Sequence, residues 1–233
     1  MGYLYGFDEY YLLLVVPALI FSLYAQYKVS STFSKYQRFH NRYGYTGAEV
    51  ARIILDNNRL HDVSVQPTGG SLTDHYDPRT RVVRLSQTVY GSTSVAALGV
   101  AAHETGHAIQ HKIGYKPLVL RSALVPVANI GSMAGPYLAI FGLIFNFLEL
   151  VYVGILLYAA AVAFYLITLP VEINASKRAV EALETSGILA WDEVEPAKKV
   201  LRAAAMTYLA SAAVALASLL RLILLANSRR RRD

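Results

Sequence analysis

Four long stretches of this 233-residue sequence carry almost no charge, and each is about as long as a helix that crosses a lipid bilayer. A spanning helix needs roughly 17–25 predominantly apolar residues, and its backbone must satisfy its own hydrogen bonds because lipid offers no partners. The sequence therefore predicts an integral membrane protein that is mainly α-helical, with three to four transmembrane helices. The stretches are residues 10–27, 122–148, 151–170 and 203–220.

The first apolar stretch is predicted to be a permanent anchor, residues 1–27, and not a cleaved signal peptide. Asp8 and Glu9 precede it and no lysine or arginine does, whereas a signal peptide has a basic start and a shorter apolar core. The chain contains no cysteine, which excludes disulfides, cysteine-ligated zinc and cysteine nucleophiles.

The C-terminal run SRRRRD supplies much of the net charge of +6. We expect this run to contact anionic lipid headgroups. Nucleic acid is not an expected partner, because no other basic run with interleaved aromatic residues is present. Residues 203–233 are therefore predicted to form a transmembrane or interfacial helix followed by a basic tail.

Residues 28–117 form the one sizeable polar region, which is long enough for a small domain. Thr46 and Glu49 have the spacing of a capping box and predict the start of a helix. Residues 63–67 alternate in polarity like a strand. Residues 77–80, DPRT, predict a turn between two strand-like arms, so we expect a short β-hairpin upstream of the next helix.

Residues 147–150 form a very short link between the second and third apolar stretches. Residues 118–170 are therefore predicted to form a transmembrane helical hairpin. We expect Pro170 to end the second helix of that hairpin, because proline removes a backbone donor and crowds the preceding turn. A separate helical segment, residues 171–202, is expected to follow, with its first helix closed by Gly187.

The helix after the β-hairpin, capped by Ser92 or Ser94, is rich in small apolar residues but contains the pattern HETGH. Residues four apart share one face of a helix, so the two imidazoles in this pattern can bind one zinc ion. The glutamate beside the first histidine then points towards the water that the metal activates. The pattern predicts His103 and His107 as zinc ligands and Glu104 as the catalytic base.

A catalytic zinc ion needs a third protein ligand. His111 is the nearest candidate, but it lies roughly 12 Å beyond His103 along a straight helix and cannot reach the same ion. We therefore predict that His111 either lines the wall of the site or supports it from behind the ligands. A hairpin of two spans returns the chain to the face it left, and Glu172 follows that hairpin directly. Glu172 is the predicted third ligand.

Three segments together resemble the neutral zinc metallopeptidases of bacterial membranes, the YugP-like family: HETGHAIQH, LTDHYDP and LPVEINASKRA. The resemblance covers essentially the whole chain, and the combination is far more specific than HETGH alone. The broader pattern is similar to HtpX-type membrane zinc proteases, in which a glutamate after a transmembrane pair supplies the third ligand. That similarity supports Glu172.

The chain departs from the HtpX-type pattern at one position. Those enzymes carry an aspartate four residues after the ligand glutamate, where this chain has Ser176. A histidine ligand is expected to have an outer hydrogen-bond partner. Ser176, Asn174 or another residue can fill that role.

The resemblance implies a zincin-like helical metallopeptidase core and a gluzincin-like zinc endopeptidase. In such an enzyme Zn²⁺ polarises the peptide carbonyl, and Glu104 takes a proton from water and passes it to the leaving amine. The developing oxyanion needs a further donor, for which His75 and Tyr76 in the hairpin are the candidates. The expected partner is a peptide or protein, including membrane proteins, and the hairpin edge can receive an extended peptide by strand addition.

Lysine and arginine are absent before the first apolar stretch and from the link near Glu149, but follow the first stretch and recur in residues 171–202. The positive-inside rule therefore predicts a multi-pass cell-membrane protein with its site on the cytoplasmic side. The tail argues the other way, because a fourth crossing places residues 229–232 outside. Because Arg221 is a charge within the last apolar stretch, the alternative is that the last helix is interfacial or packs without crossing the membrane.

Two other functions stay open at this stage. One is a non-catalytic membrane adaptor that keeps zinc for structure only. The other is a metal-dependent hydrolase of a non-peptide substrate. An intact Glu104 favours the peptidase, because a structural zinc site has no use for a base.

Overall fold

The structure, a computed structural model, describes residues 8–230, so residues 1–7 of the predicted anchor and residues 231–233 of the predicted tail lie outside the described part. Helices dominate that part, and three short strands form one sheet, which confirms the predicted mainly α-helical fold with a small β-hairpin. A π-helical turn, Tyr11–Val15, leads directly into the first helix. The elements are α1 (Val16–Tyr36), α2 (Gly47–Asn57), β1 (Ser64–Thr68), β2 (His75–Asp77), β3 (Val82–Ser86), α3 (Gln87–Tyr90), α4 (Val95–Lys112), α5 (Lys116–Ile144), α6 (Leu148–Thr185) and α7 (Trp191–Arg230).

The chain divides into two compact units. The first, called the membrane unit here, comprises residues 120–169 together with the described parts of residues 1–26 and 207–233. The second, called the site unit, comprises residues 27–119 and 170–206. The four long helices α1, α5, α6 and α7 are each apolar and long enough to cross a membrane, as the four uncharged stretches of the sequence predict.

Within the membrane unit, α5 and α6 form the predicted antiparallel hairpin and approach each other through glycines. A Cβ atom on Gly135 would lie 2.8 Å from the backbone nitrogen of Tyr158, and one on Gly154 would collide with the backbone of Ala139. Small residues at a helix interface in lipid allow the backbones to pack closely. These glycines therefore allow the backbones of α5 and α6 to come into contact.

Arg221, the charge within the last apolar stretch, has a buried partner in the membrane unit. Its Nε donates to Oδ2 of Asp8 at 2.8 Å, and its guanidinium lies 5.2 Å from the centre of the Tyr11 ring. Both charged side chains are largely buried. A charge in an apolar surrounding needs such a partner, so Arg221 is accommodated within α7 by its pairing with the chain segment before α1.

In the site unit, the sheet has the strand order β1-β3-β2. The predicted hairpin forms, with β2 antiparallel to β3 and His75 opposite Arg84. β1 pairs with the other edge of β3 in parallel, with Ser64 opposite Val82. β3 is the buried central strand, whereas β2 is an edge strand that lies against α4.

Helix α2 begins as predicted, with Thr46 as its cap. The backbone nitrogen of Glu49 donates to the Thr46 hydroxyl, and the Glu49 carboxylate accepts from the backbone nitrogen of Thr46. The apolar face of α2 then buries Ile54 and Leu55 completely. These residues join one core that also includes side chains of β3, α4, α6 and α7. That core holds α4 in the centre of the site unit.

Our prediction that the helix ends at Pro170 is wrong, because α6 is a single helix of 38 residues, Leu148–Thr185. An interior proline costs about 3 kcal/mol or more, since it removes one hydrogen bond and crowds the preceding turn. Beyond it, Val171 and Leu183 are fully buried in the site unit. Each buried aliphatic side chain contributes roughly 1.5–3 kcal/mol, which offsets the cost of the proline.

Helices α4 and α6 pack in backbone contact at Gly106. A Cβ atom at this position would lie 2.6 Å from the carbonyl oxygen of Ala175. Gly99, two turns earlier in α4, is different, because a Cβ there would meet Ala197 at 3.7 Å, which is ordinary contact. Gly106 therefore sets the distance between α4, which carries the HETGH pattern, and the part of α6 beyond Pro170.

We expect Gly106→Ala to destabilise the site unit by about 1–3 kcal/mol, because overpacking forces α4 and α6 apart. The matched control, Gly99→Ala in the same helix, should be neutral or stabilise the protein by up to about 1 kcal/mol through helix propensity. Thermal unfolding of the metal-free variants in detergent measures both effects. Equal unfolding temperatures for the two variants would contradict the close packing at Gly106.

Candidate metal centre

Helix α4 carries the HETGH pattern, and Ser94 is the residue that caps it. The Ser94 hydroxyl accepts from the backbone nitrogen of Ala97 at 3.2 Å. The helix is regular from Val95 to Lys112, so His103 and His107 lie one turn apart on the same face. Their ring centres are 4.8 Å apart and the rings are nearly perpendicular.

The first residues of α6 beyond Pro170 bring Glu172 to the same place. Its Oε2 lies 3.1 Å from Nε2 of His103 and 3.5 Å from Nε2 of His107. Each of the three residues offers one ligand atom, and all three atoms lie within 4.8 Å of one another. The structure therefore brings together the three residues that the sequence predicts as ligands.

The spacing of these atoms fits a zinc ion. Zinc binds imidazole nitrogen and carboxylate oxygen at about 2.0–2.2 Å in tetrahedral geometry, which separates two ligand atoms by about 3.4 Å. The nitrogen-to-oxygen distances of 3.1 and 3.5 Å lie on either side of that value. Two histidines and one glutamate also form one of the ligand sets of catalytic zinc sites. His103, His107 and Glu172 can therefore hold a zinc ion.

Glu104 lies beside this cluster without joining it. The residue is 8% exposed, and its charge acts on His107. Within the part of the chain that the structure describes, no hydrogen-bond donor reaches its carboxylate. A buried carboxylate that neither binds the metal nor accepts from a protein donor is suited to accept a proton from water.

Both histidines have an outer partner on the ring nitrogen that points away from the cluster. Nδ1 of His103 lies 3.1 Å from the hydroxyl of Ser176, the residue that replaces the aspartate of the HtpX-type pattern. Nδ1 of His107 lies 3.0 Å from Oε1 of Gln110. Our sequence analysis missed Gln110, although its position one turn after His107 on α4 was an available signal.

The two candidate oxyanion donors differ in their surroundings. His75 is exposed, and its Nδ1 contacts the backbone oxygen of Thr73 at 2.7 Å. The Tyr76 hydroxyl lies 2.8 Å from Nδ1 of His111, one turn beyond His107 on α4. Burial raises the pKa of Tyr76 above its ordinary value of 10.0, so the phenol stays protonated and can donate. Of the two, Tyr76 is the one that contacts α4, through His111.

The negative charges of the site act on His107. Burial by itself lowers the pKa of a histidine, but contact with the Glu172 carboxylate and the charge of Glu104 raise the pKa of His107 above 6.5. In the metal-free protein His107 therefore holds its proton to a higher pH than in the unfolded chain. Metal binding must displace that proton.

We expect zinc affinity to rise with pH above 6.5, as His107 loses its proton. The stability of the metal-free protein should fall over the same range, because the stabilisation from protonated His107 is fully present below 6.5 and disappears above the raised folded-state pKa. Zinc titration and thermal unfolding of the metal-free protein measure these opposite trends. His61→Gln, which changes an exposed histidine, should leave both unaltered, and a zinc affinity independent of pH would contradict the expectation.

Comparison with known proteins agrees with this geometry. The family model described as "Putative neutral zinc metallopeptidase" matches residues 11–227. The curated "Putative membrane protease YugP" of Bacillus subtilis (strain 168) is 49% identical over 215 residues, which cover 92% of this chain and 96% of that protein. No solved structure matches the chain. The match over nearly the whole chain, together with a cluster that fits zinc, shows that the chain belongs to the neutral zinc metallopeptidase family.

Proposed function

We propose that this protein is a membrane-bound zinc endopeptidase in which Glu104 is the general base. The observation that carries the proposal is that three of the four polar side chains can bind one metal ion while the fourth, Glu104, is left for proton transfer. His103, His107 and Glu172 converge on one point, whereas the Glu104 carboxylate lies beside them and accepts from no donor among residues 8–230. A purely structural zinc site would have no use for such a carboxylate.

The bound zinc ion would polarise the substrate carbonyl and favour ionisation of water. Glu104 takes the proton from the attacking water and later delivers it to the leaving nitrogen, which contributes typically 10²–10⁴-fold to the rate. Tyr76 can donate a hydrogen bond to the oxyanion that develops on the carbonyl. His111, which contacts the Tyr76 hydroxyl, holds that phenol in place.

The proposed substrate is an extended segment of a peptide or protein, membrane proteins included. β2 is an edge strand of the sheet and lies against α4, so its outer edge can pair with an extended chain beside the metal centre. The B. subtilis relative is named as a membrane protease. The four apolar helices support a multi-pass protein in the same membrane as such substrates.

The base role of Glu104 predicts that Glu104→Gln keeps stoichiometric zinc and loses cleavage of an unfolded protein substrate by at least about 10²-fold. The amide keeps the shape of the side chain but cannot accept the proton. The matched control is Glu181→Gln, which changes an exposed carboxylate on α6 and should leave cleavage unchanged. Metal analysis of the purified full-length variants measures the bound zinc, and a cleavage assay measures the loss of activity. Undiminished cleavage by Glu104→Gln would exclude Glu104 as the base.

The proposed cytoplasmic orientation can be tested because the chain has no native cysteine. Gln66→Cys on β1 and Glu149→Cys in the first turn of α6 each introduce one exposed thiol. By the positive-inside rule, a membrane-impermeant maleimide should label Glu149→Cys on intact cells and Gln66→Cys only after permeabilisation. The reverse pattern would place the metal centre outside.

A further inference from the structure

Gln110 is a fully buried polar side chain that none of the proposed chemical steps uses. It lies on α4, three residues after His107, and its exposed fraction is 0%. Its amide contacts three groups: Nδ1 of His107, the backbone oxygen of Val171 and Oδ1 of Asn174. The last two groups flank Glu172 in the sequence. Gln110 therefore contacts the ligand His107 directly, and it contacts residues before and after the ligand Glu172 in the sequence.

The direction of the Gln110 amide is set by groups that cannot reverse their roles. The backbone oxygen of Val171, 2.8 Å away, can only accept. Arg178 can only donate, and its Nε contacts Oδ1 of Asn174 at 2.9 Å, so Asn174 presents its oxygen to Gln110 as well. Two acceptors therefore face the same end of the Gln110 amide, and that end must be the NH₂ group.

The opposite end of the amide is then the oxygen, which faces Nδ1 of His107 at 3.0 Å. An oxygen acceptor requires a proton on Nδ1, so the neutral His107 ring carries its lone pair on Nε2. Nε2 is the atom that lies 3.5 Å from the Glu172 oxygen in the ligand cluster. By contrast, the Ser176 hydroxyl beside His103 can donate or accept and does not select a tautomer.

We propose that Gln110 is the positioning residue of the metal centre. It holds His107 in the tautomer that binds metal through Nε2, and it ties the Val171 backbone and the Asn174 side chain, on either side of Glu172, to α4. This inference rests on the proposed metal site but not on the reaction performed there. Outer hydrogen bonds of this kind typically contribute 10–100-fold to metal affinity.

The first test measures zinc affinity of the full-length protein in detergent by competition with a chelator. Gln110→Met keeps the length of the side chain and removes all three hydrogen bonds, so affinity should fall about 10–100-fold. The control, Gln87→Met, makes the same change on an exposed side chain and should bind zinc like the unmodified protein. Zinc binding by Gln110→Met within about threefold of the unmodified protein would overturn the proposal.

A second variant tests whether the contacts act as one chain. Asn174→Leu removes one of the two acceptors that orient the amide and should weaken zinc binding less than Gln110→Met does. In the double variant the Asn174 change should add nothing to the loss from Gln110→Met, because the contact is already gone. Fully additive losses would show that the two residues act independently and would exclude the chain of contacts.

A third measurement does not depend on any change at Gln110. ¹⁵N NMR of the zinc-loaded, histidine-labelled protein should show a protonated Nδ1 and a metal-bound Nε2 for His107, assigned by the signal missing in His107→Gln. Metal binding through Nδ1 would overturn the proposal. Because none of these readouts involves a peptide, failure of the protein to cleave any peptide would refute the proposed function and leave the role of Gln110 intact.

Discussion

The burial of the Glu172 carboxylate is the constraint on which the arrangement of the site unit depends. Only 2% of its surface is exposed, and an ionised carboxylate without partners in such a place costs several kcal/mol. The imidazoles of His103 and His107 contact its Oε2, and a zinc ion between the same atoms would neutralise the charge more completely. The contacts that hold α4 against α6 therefore also keep the buried Glu172 carboxylate next to His103 and His107.

The character of α4 follows from this constraint. Residues such as Ala101 and Ala102 are small and fully buried, so the helix can lie in the middle of the core with neighbours on all sides. His103, His107 and Gln110 lie on the face of α4 that meets α6, where each finds a partner. A helix with large apolar residues would keep the same core full but would hold Glu172 too far from the two histidines.

Most of the parts that sequence reasoning predicted depend on neighbours in the chain, whereas Glu172 was reached through the return of the helical hairpin. The capping box at Thr46, the turn at Asp77 and the HETGH spacing are all local patterns. The parts it missed depend on residues far apart in sequence. Pro170 indicates a helix end by its local chemistry, but the burial of Val171 and Leu183 keeps α6 continuous. Likewise Gln110 looks like an ordinary helix residue until its contacts about 60 residues away are known.

The contact between Gly106 and Ala175 limits how freely the metal-binding helix could be reused in protein design. In the HETGH pattern the fourth position is usually treated as variable, yet here any side chain would strike the backbone of α6. A graft of the five residues onto another helix would reproduce the two histidines and the base, but not the approach of a second helix that delivers the third ligand. The transferable unit is thus a pair of helices in backbone contact. One helix carries Gly106, and the other carries Glu172, one turn before the contact at Ala175.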